Sequence, residues 1–481
     1  MDKTVSMPLH VVIMAAGKGT RMKSTLPKVL HRLGGKPLLE HVIDTAAQLN
    51  ARSAVVITGH GSKVVQNAIN LIAVEAINTP AKCIFSTYNK MSSVLQEPQL
   101  GTGHAVLQTV PVLPDDGMVL VLSGDVPLTQ VDTLQDLIAK SGGGKLALLT
   151  IDFENPAGYG RVVRSNDSVQ AIVEQKDAND AQKLLKEVYS GIMAVPAKLL
   201  KGWLARLDNK NAQGEYYLTD IVKFAVADGL TVVAHKIDDA AQVAGVNSPV
   251  QLAELERVYQ LRQAKTLMEQ GVRLADPARF DLRGSLVCGQ DVEIDINCIF
   301  SGQVALGAGV KVGAHCVISN AVIADGAVIH PFTHIEGEKL GVLVGAGALI
   351  GPFARLRPGA TLGKEVHIGN FVEVKNAILA DGAKANHLAY LGDATVGERV
   401  NFGAGSITAN YDGANKHRTV IEADAHVGSN CVLVAPVTIG AGGTVGGGST
   451  ITKSTPAGAL SVARGKQVSI ANWQRPTKIA K

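Results

Sequence analysis

Aliphatic residues recur every six positions through the second half of this chain. Ile294, Phe300, Leu306, Val312 and Ile318 fall six apart, as do Val344, Ile350, Leu356, Leu362, Ile368 and Val374. The period returns in Ile421, Val427, Leu433, Ile439, Val445 and Ile451. Glycine often follows the aliphatic, and Ala, Val or Cys often stands four after it. Such hexads predict a parallel β-helix, in which each hexad makes one flat side and stacked coils share one aliphatic column. Three hexads close a coil of about 18 residues, rising roughly 4.8 Å per coil by strand pairing. The aliphatics are core and carry no chemistry. A glycine count of 51 with aromatics at only 4% fits this repetitive, finely packed architecture.

The first half obeys another pattern. "HVVIMAA", "SAVVITG", "MVLVLSGD" and "KLALLTI" are apolar runs of the length expected for strands buried on both faces, with helical stretches such as residues 37–49 between them. That is an α/β pattern with a largely parallel sheet and functional loops at the strands' carboxyl ends. Between the halves, Ser248 suits an N-cap and Pro249 a first helical position, Leu252, Leu255, Val258, Leu261 and Leu267 mark one face, and Gly271 stops the helix. The expected division is a domain over residues 1–248, a helical linker over 249–271 and a β-helix with its tail over 272–481.

Acids and bases nearly balance, 42 against 46, for a net charge of +4, which argues against nucleic acid or an acidic membrane as the main partner. No apolar run approaches the roughly 20 residues of a membrane helix. Five cysteines without a Cys-x-x-Cys fit a reducing, cytoplasmic setting and give no zinc motif. Cys298 and Cys316, 18 apart in equivalent hexad positions, should stack in adjacent coils as reduced core residues, although their spacing permits a disulfide.

Chemistry is sought where these patterns break. "MAAGKGTRMKSTLPKVL", residues 14–30, runs from a strand into glycines and cations. It is neither a Walker A loop nor a dinucleotide fingerprint, because Met22 stands where each needs another residue. The hexad phase slips near residues 337–342 and again in "LADGAKANHLAYLGD"; the largest break, "TANYDGANKHRTV" at 408–420, should project as a loop. Taken alone, His387 beside the second break is more often a surface residue than a catalyst, and Lys416, His417 and Arg418 read as a solvated turn.

In combination these motifs name a family. "AAGKGTRM" followed by Pro-Lys, then "QLGTGHA", "GDVPL", "GYGR", "VEQKDA", "GEYYLTD" and "GVNSP" run in the order of sugar nucleotidyltransferases. "PFARLRPG", "GNFVEVK", "HLAYLGD", "NFGAGSITANYDGANK" and "VGSN" mark an acetyltransferase half. Over almost its full length the chain resembles the bacterial bifunctional N-acetylglucosamine-1-phosphate uridyltransferase/glucosamine-1-phosphate acetyltransferase family.

The resemblance implies a Rossmann-like nucleotidyltransferase domain followed by a left-handed parallel β-helix of hexapeptide repeats, the hand coming from the family alone. It implies that the opening loop wraps the phosphates of UTP. Met14, Ala15, Ala16 and Gly17 would approach the nucleotide, and Gly17 and Gly19 would bring backbone N–H groups to phosphate oxygens. Arg21 and Lys28 would supply charge for departing pyrophosphate. Gln96, Gly101 and Thr102 would read uracil, and Ser123 and Gly124 would lie against the ligand. Asp125 and Asn247 would bind Mg²⁺, and Gly160, Glu174 and Ser190 would hold the amino sugar. In the second half, His387 becomes the general base that frees the sugar amine for attack on acetyl-CoA. Arg357 and Lys375 would bind the sugar phosphate, with Tyr390 and Asn401 positioning the sugar. Ala404, Asn410, Tyr411, Ser429, Gly447 and Arg464 would contact acetyl-CoA, Arg464 and the basic tail facing its phosphates. Serines 123 and 190 replace the family's usual tyrosine and asparagine, and Asn386 a frequent glycine. A coenzyme site between solenoids implies a homotrimer, acting on small molecules without nucleic acid or a membrane span.

Two other readings compete: a nucleotidyltransferase whose β-helix only oligomerises or regulates, and a non-catalytic assembly subunit. The second of these requires eroded loops, yet Lys28, Asp125 and Asn247 are present. The first requires no base or phosphate ligands, yet His387, Arg357 and Lys375 are present.

Overall fold

The computed structural model describes residues 7–78, 86–166 and 168–475. Two compact units divide the chain, Met1–Tyr259 and Gln260–Lys481.

In the first unit, strands Leu9–Met14, Ser53–Thr58, Met91–Leu95 and Met118–Ser123 lie parallel, with Leu9–Met14 between Ser53–Thr58 and Met118–Ser123. Leu146–Asp152 and Val232–Ile237 also pair in parallel. The sheet is mixed because Glu187–Pro196 inserts antiparallel between Met118–Ser123 and Leu146–Asp152. Alternation along each strand feeds two cores. Val11 and Ile13 pack with helix Leu38–Gln48, which buries Leu39, Val42, Ile43 and Ala46. Val12 faces the other way, into a cluster containing Leu200, Trp203 and Ile221. Each fully buried aliphatic contributes about 1.5–3 kcal/mol against chain entropy. The sheet's geometry sends the loops after Met14, Thr58, Leu95 and Ser123 out at one edge.

In the second unit all the hexad aliphatics named above are buried, none more than 5% exposed. The strands are mostly two or three residues long and stack in parallel on three sides. One side contains the pairs Glu293↔Lys311, Leu349↔His367, His367↔Lys384 and Asn401↔His426. Coil length varies where the phase slips. Val328 pairs with Leu349, 21 residues on, and Asn401 with His426, 25 residues on, whereas Glu293 and Lys311 are 18 apart. The extra residues of the longest coil form the projection, whose ends are held by strands Ile407–Ala409 and Thr419–Ile421, so the loop proper is shorter than the 408–420 break implies.

A feature no motif announces runs along one corner. His315, Phe332, Phe353 and Phe371 occupy equivalent turn positions in successive coils, all with φ between 55° and 62°. Left-handed backbone is costly for bulky residues. Their rings stack at 4.9, 5.0 and 5.3 Å between centroids, which offsets part of that cost. Leu388 continues the row at φ 49°, directly after His387.

The joining helix spans Pro249–Glu269. Leu255 is buried in the first unit, with Leu252 and Val258 packed around it, while Ala264 and Leu267 enter the β-helix core. Leu261 departs from the expected face and is 46% exposed; Gln260, 1% exposed, takes the buried position. Its amide donates to Leu282 O at 2.9 Å and accepts from Leu282 N at 2.7 Å, satisfying backbone groups that a leucine would leave bare. Gly271, at φ 96°, follows the helix as expected.

The cysteines behave as core. Cys298, Cys316 and Cys431 are free and buried. Burial pushes the Cys298 and Cys316 thiols up to about 11 and about 12, so neither is a nucleophile at neutral pH. Cys83 and residues 476–481 of the basic tail lie outside the described residues.

Two candidate active sites

At the strand ends of the first unit, residues far apart in sequence converge. Lys28 Nζ donates to Asp125 Oδ2 at 2.5 Å and to Asn247 Oδ1 at 3.1 Å. Asp125 follows strand Met118–Ser123, and its carbonyl accepts from Val246 N at 2.9 Å, which holds the Asn247 segment beside it. The loop after Met14 is pinned on both sides: Ala15 N donates to Ile57 O at 2.9 Å, and Gly124 N to Met14 O at 2.9 Å. Gly19, at φ 60°, passes so close to Lys28 that a Cβ there would lie 2.7 Å from Lys28 Cβ. Only glycine lets the loop fold over that lysine. The space around Gly17 is open, so the crowding that demands glycine acts at Gly19 alone. Arg21 is exposed in the turn Thr20–Met22.

Beside this loop a cleft of about 710 Å³ is lined by Lys18, His60, Lys63, Gln96, Glu97 and Gln99, among others. Gln96 is buried, and its amide donates to Gly101 O at 2.9 Å. Thr102 opens helix Thr102–Leu107 and accepts Leu218 N at 3.1 Å. Gln99, the first residue of "QLGTGHA" and given no role from sequence, donates its amide to Ala16 O and ties this segment to the loop after Met14.

The third group lies across the sheet edge. A Cβ built on Gly160 would meet Ile172 at 2.8 Å and Glu174 Oε1 at 3.5 Å, so Gly160 and Glu174 are neighbours. Glu174 accepts from Thr219 Oγ1 at 2.9 Å, and burial raises its carboxyl above the ordinary value. Ser190 is buried and accepts Ile192 N at 3.2 Å; the adjoining Gly191 faces Ser123 Oγ.

The second unit has its own cluster. Arg357 donates to Glu373 Oε1 at 2.8 Å, and Tyr390 stands in register with Glu373. Lys375 ends the same strand. The Lys416 ammonium against it, partial burial and the Arg357 guanidinium together pull its pKa below the ordinary lysine value. Arg357 and Lys416 both bear on Lys375, with Glu373 paired to Arg357 and Asp393 also near Lys375, so the cations are the majority and can take an anionic group. Lys416 is exposed in the projecting loop, and its ammonium lies against that of Lys375. The only signal for it in sequence was its place in the polar break. Asp393, 8% exposed, holds this loop in place, accepting from Asn376 and Asn410 at 2.5 Å each. Tyr411 is 62% exposed and donates to Gly413 O at 2.6 Å.

His387 is exposed at the corner next to this cluster, its Nδ1 2.9 Å from Asn370 Oδ1. Asn401 is on the adjoining side, paired with Lys384 and His426 rather than with Arg357 or Lys375. Down the corner from His387 the backbone continues as a ladder. Gly405 N donates to His387 O, Asn430 N to Ala404 O, and Gly448 N to Ser429 O, at 3.2, 2.7 and 2.8 Å. Ala404, Ser429 and Gly447 thus follow one another coil by coil, and Gly448 packs near Arg464 Cδ. On one side of His387 the corner carries the stacked rings of Phe332, Phe353 and Phe371; on the other it carries Gly405, Asn430 and Gly448.

Residues 11–191 match the MobA-like NTP transferase domain, and residues 341–376 match the bacterial transferase hexapeptide (six repeats). The chain is 74% identical over 475 residues to the bifunctional protein GlmU of Polaromonas naphthalenivorans (strain CJ2), covering 98% of each chain. It is 73% identical to that of Albidiferax ferrireducens, covering 98% of this chain and 100% of the relative, and 72% identical to that of Paracidovorax citrulli, covering 98% and 99%. Identity at this level over both halves leaves one conclusion: the chain belongs to the GlmU family of bifunctional proteins.

Proposed function

We propose that the chain makes UDP-N-acetylglucosamine in two steps at two separate sites. It is an acetyltransferase and a uridyltransferase: the second unit acetylates glucosamine 1-phosphate from acetyl-CoA, and the first transfers uridylyl from UTP to the product, releasing pyrophosphate. The observation that carries this reading is the presence of two unrelated clusters, Lys28–Asp125–Asn247 and Arg357–Lys375–Lys416 beside His387, one in each unit.

In the acetyltransferase site, Arg357, Lys375 and Lys416 hold the sugar phosphate, which relieves the repulsion between the two lysines. His387 takes the proton from the amine as its nitrogen attacks the thioester carbonyl; the C–N bond forms, the C–S bond breaks and coenzyme A leaves. Ala404, Ser429, Gly447 and Arg464 line the path of acetyl-CoA, and Asn410 and Tyr411 approach it from the projecting loop. Asn401 and Tyr390 flank the sugar. Because Lys416 acts through charge on the bound phosphate, Lys416→Ala is expected to raise KM for glucosamine 1-phosphate about 10-fold with a smaller effect on kcat. Steady-state kinetics with an unchanged KM would return Lys416 to solvent.

In the uridyltransferase site, two oxygens of different residues already converge on one cation, the Lys28 ammonium. A carboxylate and an amide oxygen suit Mg²⁺, which takes few protein ligands beside phosphates and water. Among the described residues no group of three or more His, Cys, Asp or Glu could hold a metal instead. Asp125 and Asn247 would hold Mg²⁺, which when bound would supply charge neutralisation at the reacting phosphates. Lys28 and Arg21 bind phosphate oxygens, Gln96, Gly101 and Thr102 read the base, and Gly160, Glu174 and Ser190 hold the sugar beside Ser123 and Gly124.

The helix over residues 249–271 links two independently folding domains in this reading. A fragment of about residues 1–250 should convert N-acetylglucosamine 1-phosphate and UTP to product unaided. A folded but inactive fragment would break the assignment. The coenzyme path along this corner is completed by a neighbouring solenoid in a homotrimer. Mixed trimers of His387→Ala and Arg464→Ala subunits should then regain acetylation, and verified mixed trimers without recovery would place both residues in one chain's site. Among the described residues no helix is long and apolar enough to cross a membrane; the substrates and buried reduced thiols suit the cytoplasm.

A further inference from the structure

We propose that Asn370 is a positioning residue for acetyl transfer: it fixes the tautomer of His387. The inference rests on the reading of His387 as the base. Asn370 Oδ1 lies 2.9 Å from His387 Nδ1. A carbonyl oxygen only accepts, so Nδ1 carries the ring hydrogen and the lone pair sits on Nε2. A free imidazole prefers the opposite arrangement, with the hydrogen on Nε2, where it cannot accept the amine's proton. Asn370 therefore holds the base in its working form while Nε2 takes that proton. When the ring is protonated, the Nδ1–H bond to Asn370 persists and the ring does not turn.

The fold is built to make this contact. Strands on this side of the β-helix are two residues long except His367–Asn370 and Lys384–His387, which extend to four. The added pairing puts Asn370 opposite His387. The strands come together through Gly369, where a Cβ would lie 1.9 Å from Asn386 O. Any larger residue there would push the two coils apart between the partners.

The test uses the full chain carrying Asn370→Leu, Asn370→Ala, Asn370→Asp or His387→Ala. With Leu or Ala, kcat for acetylation should fall about 10- to 100-fold, less than loss of the base, while KM, melting temperature and uridylyl transfer stay at wild-type values. Asn370→Asp, which still accepts from Nδ1–H, should recover most of kcat. The proposal is overturned if Leu and Ala leave kcat unchanged, if Asp is as impaired as they are, or if their loss tracks a fall in melting temperature. His387→Ala separates the two claims. Should it acetylate normally, the base assignment fails; should it be inactive while Asn370→Leu and Asn370→Ala are normal, only the role of Asn370 fails.

Discussion

Asp125→Ala is expected to abolish uridylyl transfer and leave acetylation at the wild-type rate. The substitution removes the only carboxylate in the Lys28–Asp125–Asn247 cluster. Asn247 Oδ1 alone cannot hold Mg²⁺, and losing several kcal/mol of charge stabilisation corresponds to roughly 10³-fold in rate. It also strands the Lys28 ammonium, whose side chain is only 14% exposed, so phosphate positioning suffers a second time. EDTA should reproduce the effect on the first activity and spare the second. Loss of both activities in a folded Asp125→Ala variant would mean one shared site and would sink the two-site account.

His387→Ala should do the reverse. Removing a general base lowers rate by about 10²–10⁴-fold, and Asn370, the side chain hydrogen-bonded to His387, is an amide that cannot take its place. KM for glucosamine 1-phosphate should change little because the phosphate ligands remain. A variant acetylating at the wild-type rate would make His387 an ordinary surface residue.

Much of the architecture was legible in the sequence because it depends on local periodicity. The hexad aliphatics are all core, and the four apolar runs of the first half are strands, since a six-residue or continuous apolar pattern leaves one way to bury it. The joining helix shows where periodicity misleads. Leu261 keeps the apolar pattern yet is exposed, while polar Gln260 is buried because it satisfies Leu282's backbone. The mixed sheet escaped notice because the antiparallel strand Glu187–Pro196 reads no differently from a parallel one.

Site geometry was less legible still. Lys28 and Asn247 meet across 219 residues, a juxtaposition implied only by family resemblance. In the β-helix, vertical neighbours sit 17 residues apart at Asn370 and His387 but 25 apart at Asn401 and His426. Lys416, Asp393 and Asn370 became visible only once these offsets were known. The Phe332–Phe353–Phe371 row was hidden for another reason, since left-handed turns predict glycine or asparagine rather than aromatics.

The most direct measurement is a single reaction containing purified full chain, glucosamine 1-phosphate, acetyl-CoA, UTP and Mg²⁺, with products followed by mass spectrometry. The wild type should yield UDP-N-acetylglucosamine, free coenzyme A and pyrophosphate in equal amounts. Asp125→Ala should stop at N-acetylglucosamine 1-phosphate, and His387→Ala should leave glucosamine 1-phosphate unacetylated but convert the acetylated sugar phosphate when it is supplied. Nucleotide sugar formed by the wild type without release of coenzyme A would contradict the account, leaving the β-helix without a catalytic role.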